Sequence, residues 1–325
     1  MIDGCNRTID YIRISITDRC NLRCIYCMPD KGIRWISHEE ILSYDEIARL
    51  CKILSELGVK KVKITGGEPL VRKGAATLVK QLKTQCGIEI VTLTTNGMLL
   101  LDQIDELAAA GIDSINISLD ALDEDKFFSI TRRHGMDILL AGIEKAISYK
   151  NINVKINCLP MDINDTELLK IAGLAKDSNI SVRFIEMMPI GLGKQLECHK
   201  EDDVKELLKK EYGKMIPYTK KIGNGPAHYY EIEGFYGKIG FISAITHEFC
   251  DDCNRVRMTA NGFFKTCLQY EKGVDLKLLI KSGANDSILK NAMESAIFEK
   301  PKCHHFYKEE GEQSLEFHNM SQIGG

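Results

Sequence analysis

Short β-like runs alternate with helical patterns over the first 190 residues of this sequence. Strands that alternate with helices are joined by right-handed crossovers and build a parallel sheet. There are six such runs, two short of the eight units of a complete barrel, and they cover residues 11–17, 61–65, 88–94, 114–119, 153–158 and 181–186. The pattern therefore predicts an α/β fold, an incomplete (βα)6 barrel of the TIM type.

Start and stop signals define the helices between these strands. The clearest helical pattern runs from residue 44 to 57, where Ser43 and Glu46 have the spacing of a capping box. Gly58 follows it in the position of a C-terminal glycine cap. Asn164 and Glu167 repeat the capping-box spacing after the fifth strand. We therefore expect capped helices that cover the apolar face of the sheet.

Several strands alternate apolar and polar residues, whereas parallel strands covered on both faces usually read as continuous apolar runs. Because helices must cover the apolar faces, the polar faces are expected to point into the concavity of the sheet. Their cationic side chains are Arg13, Lys61, Lys63, Lys155 and Arg183. A cationic pocket in a chain of net charge −3 indicates a small polyanion, such as a nucleotide phosphate. A solvated outer face is the alternative interpretation.

The pattern changes after Pro189. A charged helical stretch covers residues 201–212, and a hairpin is expected from residues 229–232 and 238–242. These elements indicate a C-terminal α+β extension. We therefore predict one domain over residues 1–190 and a second over residues 191–325.

Composition excludes several classes of protein. No run approaches the roughly 18 to 20 apolar residues that span a bilayer, and the net charge excludes a basic nucleic-acid coat, so neither a membrane nor a nucleic acid is an expected partner. The first ten residues lack the apolar core of a secretory signal. Twelve cysteines in such a chain suggest metal or cluster sites in a reducing, cytoplasmic compartment.

Three of these cysteines, Cys20, Cys24 and Cys27, follow the first strand directly, where barrel enzymes carry their active sites. Three thiolates can hold three irons of a [4Fe–4S] cluster, which normally takes four cysteine ligands, and leave the fourth iron open to a substrate. A structural zinc ion would need a fourth ligand nearby, and the next candidate along the sequence is His38. Zinc and incidental thiols remain alternatives at this point.

A second triplet consists of Cys250, Cys253 and Cys267. A zinc site completed by His247 is the alternative to a second cluster. Arg255 and Arg257 lie between the last two cysteines and share one face if the chain is extended there. Paired guanidinium groups suit phosphate or carboxylate oxygens.

The spacing of the first triplet resembles the cysteine motif of the radical S-adenosylmethionine (SAM) enzymes. The turn from Thr65 to Pro69 is similar to the GGEP turn of the same superfamily. Within it, the chain resembles the GTP 3′,8-cyclase family of molybdenum cofactor biosynthesis nearly end to end. The matching segments are ITDRCN from Ile16, CMP from Cys27, ITGGEPL from Ile64, TTNG from Thr94, SLDA from Ser118, RFIE from Arg183, CNRVR from Cys253 and IGG from Ile323. Two departures are Lys63, where some members carry Arg, and a short N-terminal arm.

The resemblance implies two [4Fe–4S] clusters, one on each cysteine triplet. The open iron of the first would bind the amino and carboxylate groups of SAM, and the second would meet the guanine of GTP. The implied SAM positions are Tyr26, Gly67, Ser118 and Met188, and the implied GTP positions are Arg13, Lys63, Thr94, Lys155, Arg255 and Arg257. Catalytic roles are expected for Cys20, Cys24, Cys27, Arg255 and Arg257. The tail, Gly324 and Gly325, is expected to reach the active site.

The reaction implied is a radical lyase reaction. A 5′-deoxyadenosyl radical would remove the ribose 3′-hydrogen of GTP, and the product would be (8S)-3′,8-cyclo-7,8-dihydroguanosine 5′-triphosphate. The expected partners are GTP, an electron donor of the flavodoxin or ferredoxin type, and a second copy of the chain in a homodimer. Another radical-SAM enzyme with an auxiliary cluster, such as a peptide-modifying maturase, is the alternative, and a zinc-binding or electron-transfer protein is a further one.

Overall fold

A twelve-stranded mixed sheet forms the centre of the molecule. The computed structural model describes residues 1–220, 222–306 and 320–323, so the Gly324–Gly325 tail lies outside the described residues. The strands are β1 (Tyr11–Ser15), β2 (Lys61–Thr65), β3 (Ile90–Thr95), β4 (Ser114–Ser118), β5 (Asn153–Cys158), β6 (Ser181–Ile185), β7 (Met215–Tyr218), β8 (His228–Ile232), β9 (Lys238–Ile242), β10 (Arg255–Met258), β11 (Phe263–Lys265) and β12 (Gly273–Asp275). The helices are α1 (Tyr44–Glu56), α2 (Ala75–Gln85), α3 (Leu100–Ala109), α4 (Glu124–Thr131), α5 (Met136–Ser148), α6 (Asp165–Asp177), α7 (Glu201–Tyr212), α8 (Leu276–Lys281), α9 (Asp286–Phe298) and α10 (Met320–Ile323).

The six strands predicted from the sequence are confirmed as β1–β6. They run parallel and in sequence order across the sheet. At least one helix lies between each consecutive pair. The sheet does not close, because β12 and β7 form its two edges. The predicted incomplete barrel is therefore confirmed.

One predicted capping box is present and the other is not. At α1, the Ser43 side chain accepts from the Glu46 N–H at 3.1 Å, and the Glu46 carboxylate accepts from the Ser43 N–H at 2.7 Å. The predicted box of Asn164 and Glu167 is wrong, since Asn164 makes no capping bond to α6. Its amide instead donates to the carbonyl oxygen of Asp120, at 2.7 Å, and the Glu167 carboxylate caps the loop before α4. Tertiary hydrogen bonds have replaced the local ones.

The residues after position 190 extend the same sheet at both edges. The predicted hairpin is confirmed as β8 and β9, and β9 pairs with β6 in parallel. On the other side β10 pairs in parallel with β1 and carries the β11–β12 ribbon. The charged stretch after residue 200 forms α7 as predicted. A domain boundary at residue 190 stays a prediction, because the backbone pairing is continuous across both halves.

The hydrophobic core lies between the apolar face of the sheet and the helices that cover it. Ile12, Ile14, Val62 and Ile64 are fully buried in this layer. The opposite, polar face of β1–β6 is therefore free to line a cavity, as the strand alternation predicted. Among the described residues, none of the helices combines the length and the apolar character that crossing a membrane requires.

Candidate active site

The polar face of the sheet lines a cavity of about 840 Å³. Both cysteine triplets contribute to its wall, although they are more than 200 residues apart in the sequence. Every residue that the resemblance assigns to SAM or GTP, from Arg13 on β1 to Arg257 on β10, also lines it. The structure thus brings together all the predicted site residues within the described part of the chain.

The first triplet lies on the loop that leaves β1. A turn at Cys24 is closed by hydrogen bonds from the N–H groups of Cys27 and Met28 to its carbonyl oxygen, both at 3.0 Å. The Cys20 sulfur accepts from the Leu22 N–H at 3.4 Å. Burial raises the pKa of Cys20 to about 11 and that of Cys27 to about 12, and it also raises the pKa of Cys24. These thiols need a bound metal to become thiolates at neutral pH.

The Gly66–Gly67 turn packs against the backbone of that same loop. A Cβ on Gly67 would lie 2.5 Å from the Arg19 carbonyl oxygen, and one on Gly66 would lie 2.6 Å from the Thr17 carbonyl oxygen. The Gly67 N–H donates to that Thr17 oxygen at 2.7 Å. The side of each glycine that a Cβ would occupy is filled by the loop, and both glycines also line the cavity. They therefore hold the first triplet next to β2.

The carboxylate of Glu68, the acidic residue of this turn, is hydrogen-bonded inside the protein. It accepts from the Leu70 N–H at 2.9 Å, from the Thr95 hydroxyl at 2.7 Å and from the Asn96 N–H at 2.6 Å. Burial nevertheless raises its pKa to about 7. Glu68 thereby ties the GGEP turn to the end of β3.

One of the four predicted SAM positions lies within the first triplet, and the other three lie on separate segments that line the same cavity. Tyr26 lies within the triplet and donates its hydroxyl to Asp120 at 2.9 Å. Burial raises the pKa of this aspartate to about 6. Gly67 belongs to the turn after β2, Ser118 ends β4, and Met188 follows β6.

Three cations are direct neighbours across the sheet. Arg257 on β10 is in register with Arg13 on β1, which is in register with Lys63 on β2. Like charges at neighbouring positions repel. Burial first, and then the adjacent cations, lower the pKa of Lys63 well below its usual value and that of Arg257 to about 9. We call Arg257, Arg13 and Lys63 the cationic row.

Lys61, also predicted to face the cavity, does not belong to its wall. Its ammonium group forms an ion pair with Asp10, with the Lys61 Nζ and Asp10 Oδ2 atoms 2.6 Å apart. Asp10 immediately precedes β1, so this pair closes the N-terminal end of the sheet. The alternation placed Lys61 on the correct face, but position along β2 decides which cations reach the cavity.

Lys155 and Arg183 extend the positive wall on the other side. Burial, and then repulsion from Arg183, lower the pKa of Lys155 to about 8. Arg183 is anchored by Asn157 and Asn116, whose side-chain oxygens accept from its guanidinium group at 2.5–2.9 Å. The Asn116 amide donates to the hydroxyl of Thr94 at 3.4 Å. An asparagine network therefore positions this part of the wall.

The second triplet lies where β10 begins. The Cys253 N–H donates to the Cys250 carbonyl oxygen at 3.2 Å. Burial would raise the pKa of Cys253, but Arg255 and Lys300 outweigh it and lower the pKa to about 6. The lowered pKa favours the thiolate form of Cys253, which is the form that binds metal ions. His247, which completed the zinc alternative, lies instead beside Glu201, with its Nδ1 3.7 Å from a carboxylate oxygen.

The zinc alternative requires closely spaced ligand atoms. Tetrahedral zinc with Zn–S bonds of about 2.3 Å would require sulfur atoms roughly 3.8 Å apart. In the described part of the chain, three ligand atoms come within 4.8 Å of one another only in Glu248, Cys250 and His304 and in Asp162, Asp165 and His199. The three sulfur atoms of neither cysteine triplet are so close together.

Comparisons with known proteins agree with this geometry. The Radical SAM superfamily model matches residues 14–175, and the Molybdenum Cofactor Synthesis C model matches residues 180–306. A GTP 3′,8-cyclase of Clostridium perfringens is 44% identical over the full length of both chains, and one of Desulforamulus reducens is 42% identical over the same extent. The chain belongs to the GTP 3′,8-cyclase family.

A longer relative and a solved structure complete the comparison. The molybdenum cofactor biosynthesis protein 1 of Dictyostelium discoideum is 39% identical over 94% of this chain and 49% of its own length. The crystal structure of Streptococcus suis SuiB bound to S-adenosylmethionine superposes with a TM-score of 0.60 over 87% of this chain and 67% of that one, at 13% identity. That likeness shows the radical-SAM fold alone, whereas membership of the cyclase family rests on the full-length relatives.

Sequence reasoning missed two buried cations of this cyclase-family site. Lys300 lines the cavity and donates to the carbonyl oxygens of Arg255, at 3.0 Å, and Thr266. Arg7, in the short N-terminal arm, donates to the carbonyl oxygens of Cys250 at 2.9 Å and of Lys302 at 2.7 Å. Neither residue belongs to a helical or strand pattern that would have predicted its role. Both donate hydrogen bonds to backbone oxygens of segments that are distant in the sequence, and such contacts leave no local signal.

Proposed function

We propose that this protein converts GTP into (8S)-3′,8-cyclo-7,8-dihydroguanosine 5′-triphosphate, the first step of molybdenum cofactor biosynthesis. The observation that carries the proposal is the shared cavity, in which two thiol triplets and the cationic row of buried Arg257 and half-buried Arg13 and Lys63 face the same space. A radical enzyme for a nucleoside triphosphate needs these parts together, a place where the radical is made and a place where the phosphates are held.

The first triplet has the chemistry of a [4Fe–4S] site with one open iron. Cys20, Cys24 and Cys27 would hold three irons, and Tyr26, Gly67, Ser118 and Met188 would surround SAM at the fourth. When bound and reduced, this pair would supply the 5′-deoxyadenosyl radical that removes the ribose 3′-hydrogen. The C3′ radical would then add to guanine C8, and one electron from the expected donor together with one proton would complete the 7,8-dihydro product. The chain itself contributes position and exclusion of water.

The cationic row would bind the triphosphate. Like-charged side chains packed side by side repel one another, and Arg13 has a buried Nε atom with no hydrogen-bond partner among the described residues. Phosphate oxygens would satisfy that donor and relieve the repulsion. Lys63 replaces an arginine of some relatives and would act as a point charge, while Lys155 and Thr94 would contact the same nucleotide.

The second triplet would hold the auxiliary cluster that meets the guanine. Cys253 is prepared for this by Arg255 and Lys300, which favour its thiolate. Arg255 stacks on Phe249, with its guanidinium carbon 4.8 Å from the ring centre, and Arg257 belongs to the cationic row. The two arginines therefore lie between the second triplet and the rest of the cationic row, and they would orient the nucleotide between these two parts of the cavity.

The C-terminal tail, the partners and the compartment complete the proposal. Ser321 on α10 lines the cavity and lies beside Cys27, so the two following glycines, Gly324 and Gly325, would enter the site. We further infer an electron donor of the flavodoxin or ferredoxin type, a homodimer and a cytoplasmic location.

Product analysis tests the function directly. The protein is reconstituted with iron and sulfide without oxygen, reduced, and incubated with SAM and GTP. We expect the cyclised triphosphate and 5′-deoxyadenosine. Cys24→Ser should abolish both, whereas Cys253→Ser should keep some 5′-deoxyadenosine and lose the cyclised product. Cyclisation by Cys253→Ser at the wild-type rate would exclude a catalytic role for the second triplet.

A further inference from the structure

A group of basic side chains lies on the loop that carries the first triplet and on the turn that follows α4. Residues 20–35 and 131–135 together contain five arginine or lysine residues and one acidic residue, Asp30, although acidic residues outnumber basic ones in the whole chain by 46 to 43. In the described part of the chain, the cavity wall includes all three cysteines of the first triplet but none of these five residues. We call them the basic patch, and they are Arg23, Lys31, Arg34, Arg132 and Arg133.

Hydrogen bonds join the two stretches into one surface. The Arg23 N–H donates to the carbonyl oxygen of Thr131 at 2.9 Å. In the opposite direction, the Arg132 guanidinium group donates to the carbonyl oxygens of Arg23, at 3.0 Å, and of Met28, at 3.2 Å. Arg132 does so from a left-handed backbone conformation, with a φ of 57°, which is uncommon for residues other than glycine. The basic patch is therefore held directly against the backbone of the first triplet's loop.

Three cations of the patch have no counter-charge within the described part of the protein. Lys31, Arg34 and Arg133 are exposed, and no acidic side chain among the described residues lies within ion-pair distance of any of them. Exposed charges of one sign attract a surface of the opposite sign. The complement of this patch is therefore a surface rich in carboxylates.

Two acidic side chains border the patch, and both already have partners. Asp30 Oδ1 lies 3.9 Å from Arg132 Nε, and Glu124 Oε1 lies 2.8 Å from His134 Nδ1. Neither of them compensates for the three exposed cations.

An aromatic side chain lies beside the same cations. Trp35, the single tryptophan of the chain, is 37% exposed, and the Arg23 guanidinium carbon lies 5.6 Å from its ring centre. Tryptophan and arginine are enriched among the residues that dominate the binding energy of protein interfaces. Trp35 and the exposed cations together favour a protein partner with acidic side chains.

The position of the patch indicates which partner it serves. On the cavity side of the loop, SAM and GTP would occupy the space next to the first triplet. An electron for the first cluster therefore has to enter from the outer side of the loop. Arg23 lies between Cys20 and Cys24 in the sequence, so the basic patch begins on the same turn of chain as the triplet.

We propose that the basic patch is the docking surface for the electron donor, an acidic one-electron carrier protein of the flavodoxin or ferredoxin type. This rests on the proposed function, since it requires a redox-active cluster on the first triplet. In the complex the reduced donor loses one electron and the cluster gains it, and no bond forms or breaks. Electron-transfer complexes bury little surface, so charge complementarity acts mainly on the association rate.

The rate of electron delivery tests the patch. The reconstituted protein and SAM are mixed with a limiting concentration of prereduced acidic flavodoxin at low ionic strength, and the rate of 5′-deoxyadenosine formation is measured. The double variant of Lys31→Glu and Arg34→Glu should be slower by at least about tenfold, because electrostatic steering raises association rates by about 10- to 1,000-fold. The matched control combines Lys52→Glu and Lys80→Glu, which make the same charge change at exposed lysines of α1 and α2, and it should behave as the wild type does.

Salt and a chemical reductant complete this test. The screening length falls from about 30 Å at an ionic strength of about 0.01 M to about 3 Å at about 1 M, so the rates of the wild type and the patch variant should converge at high salt. With excess dithionite, which needs no docking surface, both double variants should cleave SAM as the wild type does. Equal flavodoxin-driven rates in the patch variant and the control variant would overturn the proposal.

Binding without turnover separates the docking surface from the proposed function. Oxidised flavodoxin is titrated into the reconstituted protein in a calorimeter, and the patch variant should bind about tenfold more weakly than the wild type and the control variant. Arg133→Glu, on the turn after α4, replaces the double variant if that does not fold, and it should weaken binding in the same direction.

The outcomes of the titration differ for the two proposals. Patch-dependent binding of flavodoxin without any cyclised product under dithionite would reject the cyclase function and support the docking surface. Flavodoxin affinity that is equal in all variants would overturn the docking surface, whatever the products are. Patch-dependent binding of a duplex DNA oligonucleotide, with no binding of flavodoxin, would also overturn it.

Discussion

GTP binding at the proposed site can be measured through the change in protonation of Lys155. The side chain is 6% exposed, and burial followed by repulsion from Arg183 lowers its pKa to about 8. A bound triphosphate would restore a pKa near the ordinary value of about 10.5. GTP binding should therefore take up a proton wherever the free lysine is neutral, which is above a pH of about 8.

The size of this effect follows from the two pKa values. With a pKa of about 8 in the free protein and about 10.5 in the complex, proton uptake is about 0.1 at pH 7 and about 0.9 at pH 9, and GTP affinity falls about tenfold over that interval. The sign is fixed, because the charged lysine binds phosphate and rising pH removes that charge from the free protein.

Calorimetry measures the uptake directly. GTP is titrated into the reconstituted, unreduced protein at pH 7 and pH 9, in buffers of different ionisation enthalpy. Lys155→Arg is the matched variant, because an arginine keeps its charge far more readily than a lysine, and at pH 9 it should lose the share of the uptake that belongs to Lys155. The remainder would belong to Lys63 and Arg257, whose pKa values are also lowered. Uptake at pH 9 that is the same in Lys155→Arg and wild type would refute the assignment.

Three further substitutions test other parts of the site. Arg257→Ala should weaken GTP binding by about 10- to 150-fold, the equivalent of a charged hydrogen bond of about 1.5–3 kcal/mol, while SAM cleavage persists. Calorimetry measures the GTP affinity and a 5′-deoxyadenosine assay measures SAM cleavage. An unchanged GTP affinity would contradict the assignment. Gly67→Ala places a Cβ 2.5 Å from the Arg19 carbonyl oxygen, so the rate of SAM cleavage should fall sharply. The free energy of unfolding, measured in urea, should decrease by only about 1–3 kcal/mol. Full SAM cleavage would argue against a positioning role for this turn. Arg7→Ala removes the hydrogen bonds to the Cys250 loop and leaves the buried Asp3 without its cation, so iron should be lost from the second triplet first. Iron analysis and spectroscopy of each cluster measure this loss. Equally ready loss of iron from the first triplet would contradict the expectation.

The sequence predicted the parallel half of the sheet well, because its signals are local. Alternation along β1 placed Ile12 and Ile14 in the core and Arg13 in the cavity, and one capping box marked the start of α1. The same kind of signal failed at Asn164, where tertiary partners at Asp120 outcompeted the local cap.

The parts that the sequence did not predict depend on contacts between distant segments. The registers that place Arg257 beside Arg13 follow from β10 joining the edge at β1, and no local pattern encodes that pairing. Lys61 and Lys63 alternate onto the same face of β2, yet of the two only Lys63 reaches the cavity, because Lys61 lies at the start of the strand, where it pairs with Asp10. Lys300 acts on the backbone oxygens of residues about 30 to 45 positions away.

Hydrogen transfer from the substrate is the most direct test of the central claim. GTP carrying deuterium at the ribose 3′ position is incubated with SAM and the reduced, reconstituted protein, and 5′-deoxyadenosine is analysed by mass spectrometry. If the cavity holds GTP with its ribose toward the first triplet, one deuterium should appear in 5′-deoxyadenosine and be missing from the cyclised product. A 5′-deoxyadenosine free of deuterium, formed beside a cyclised product that retains it, would contradict the account.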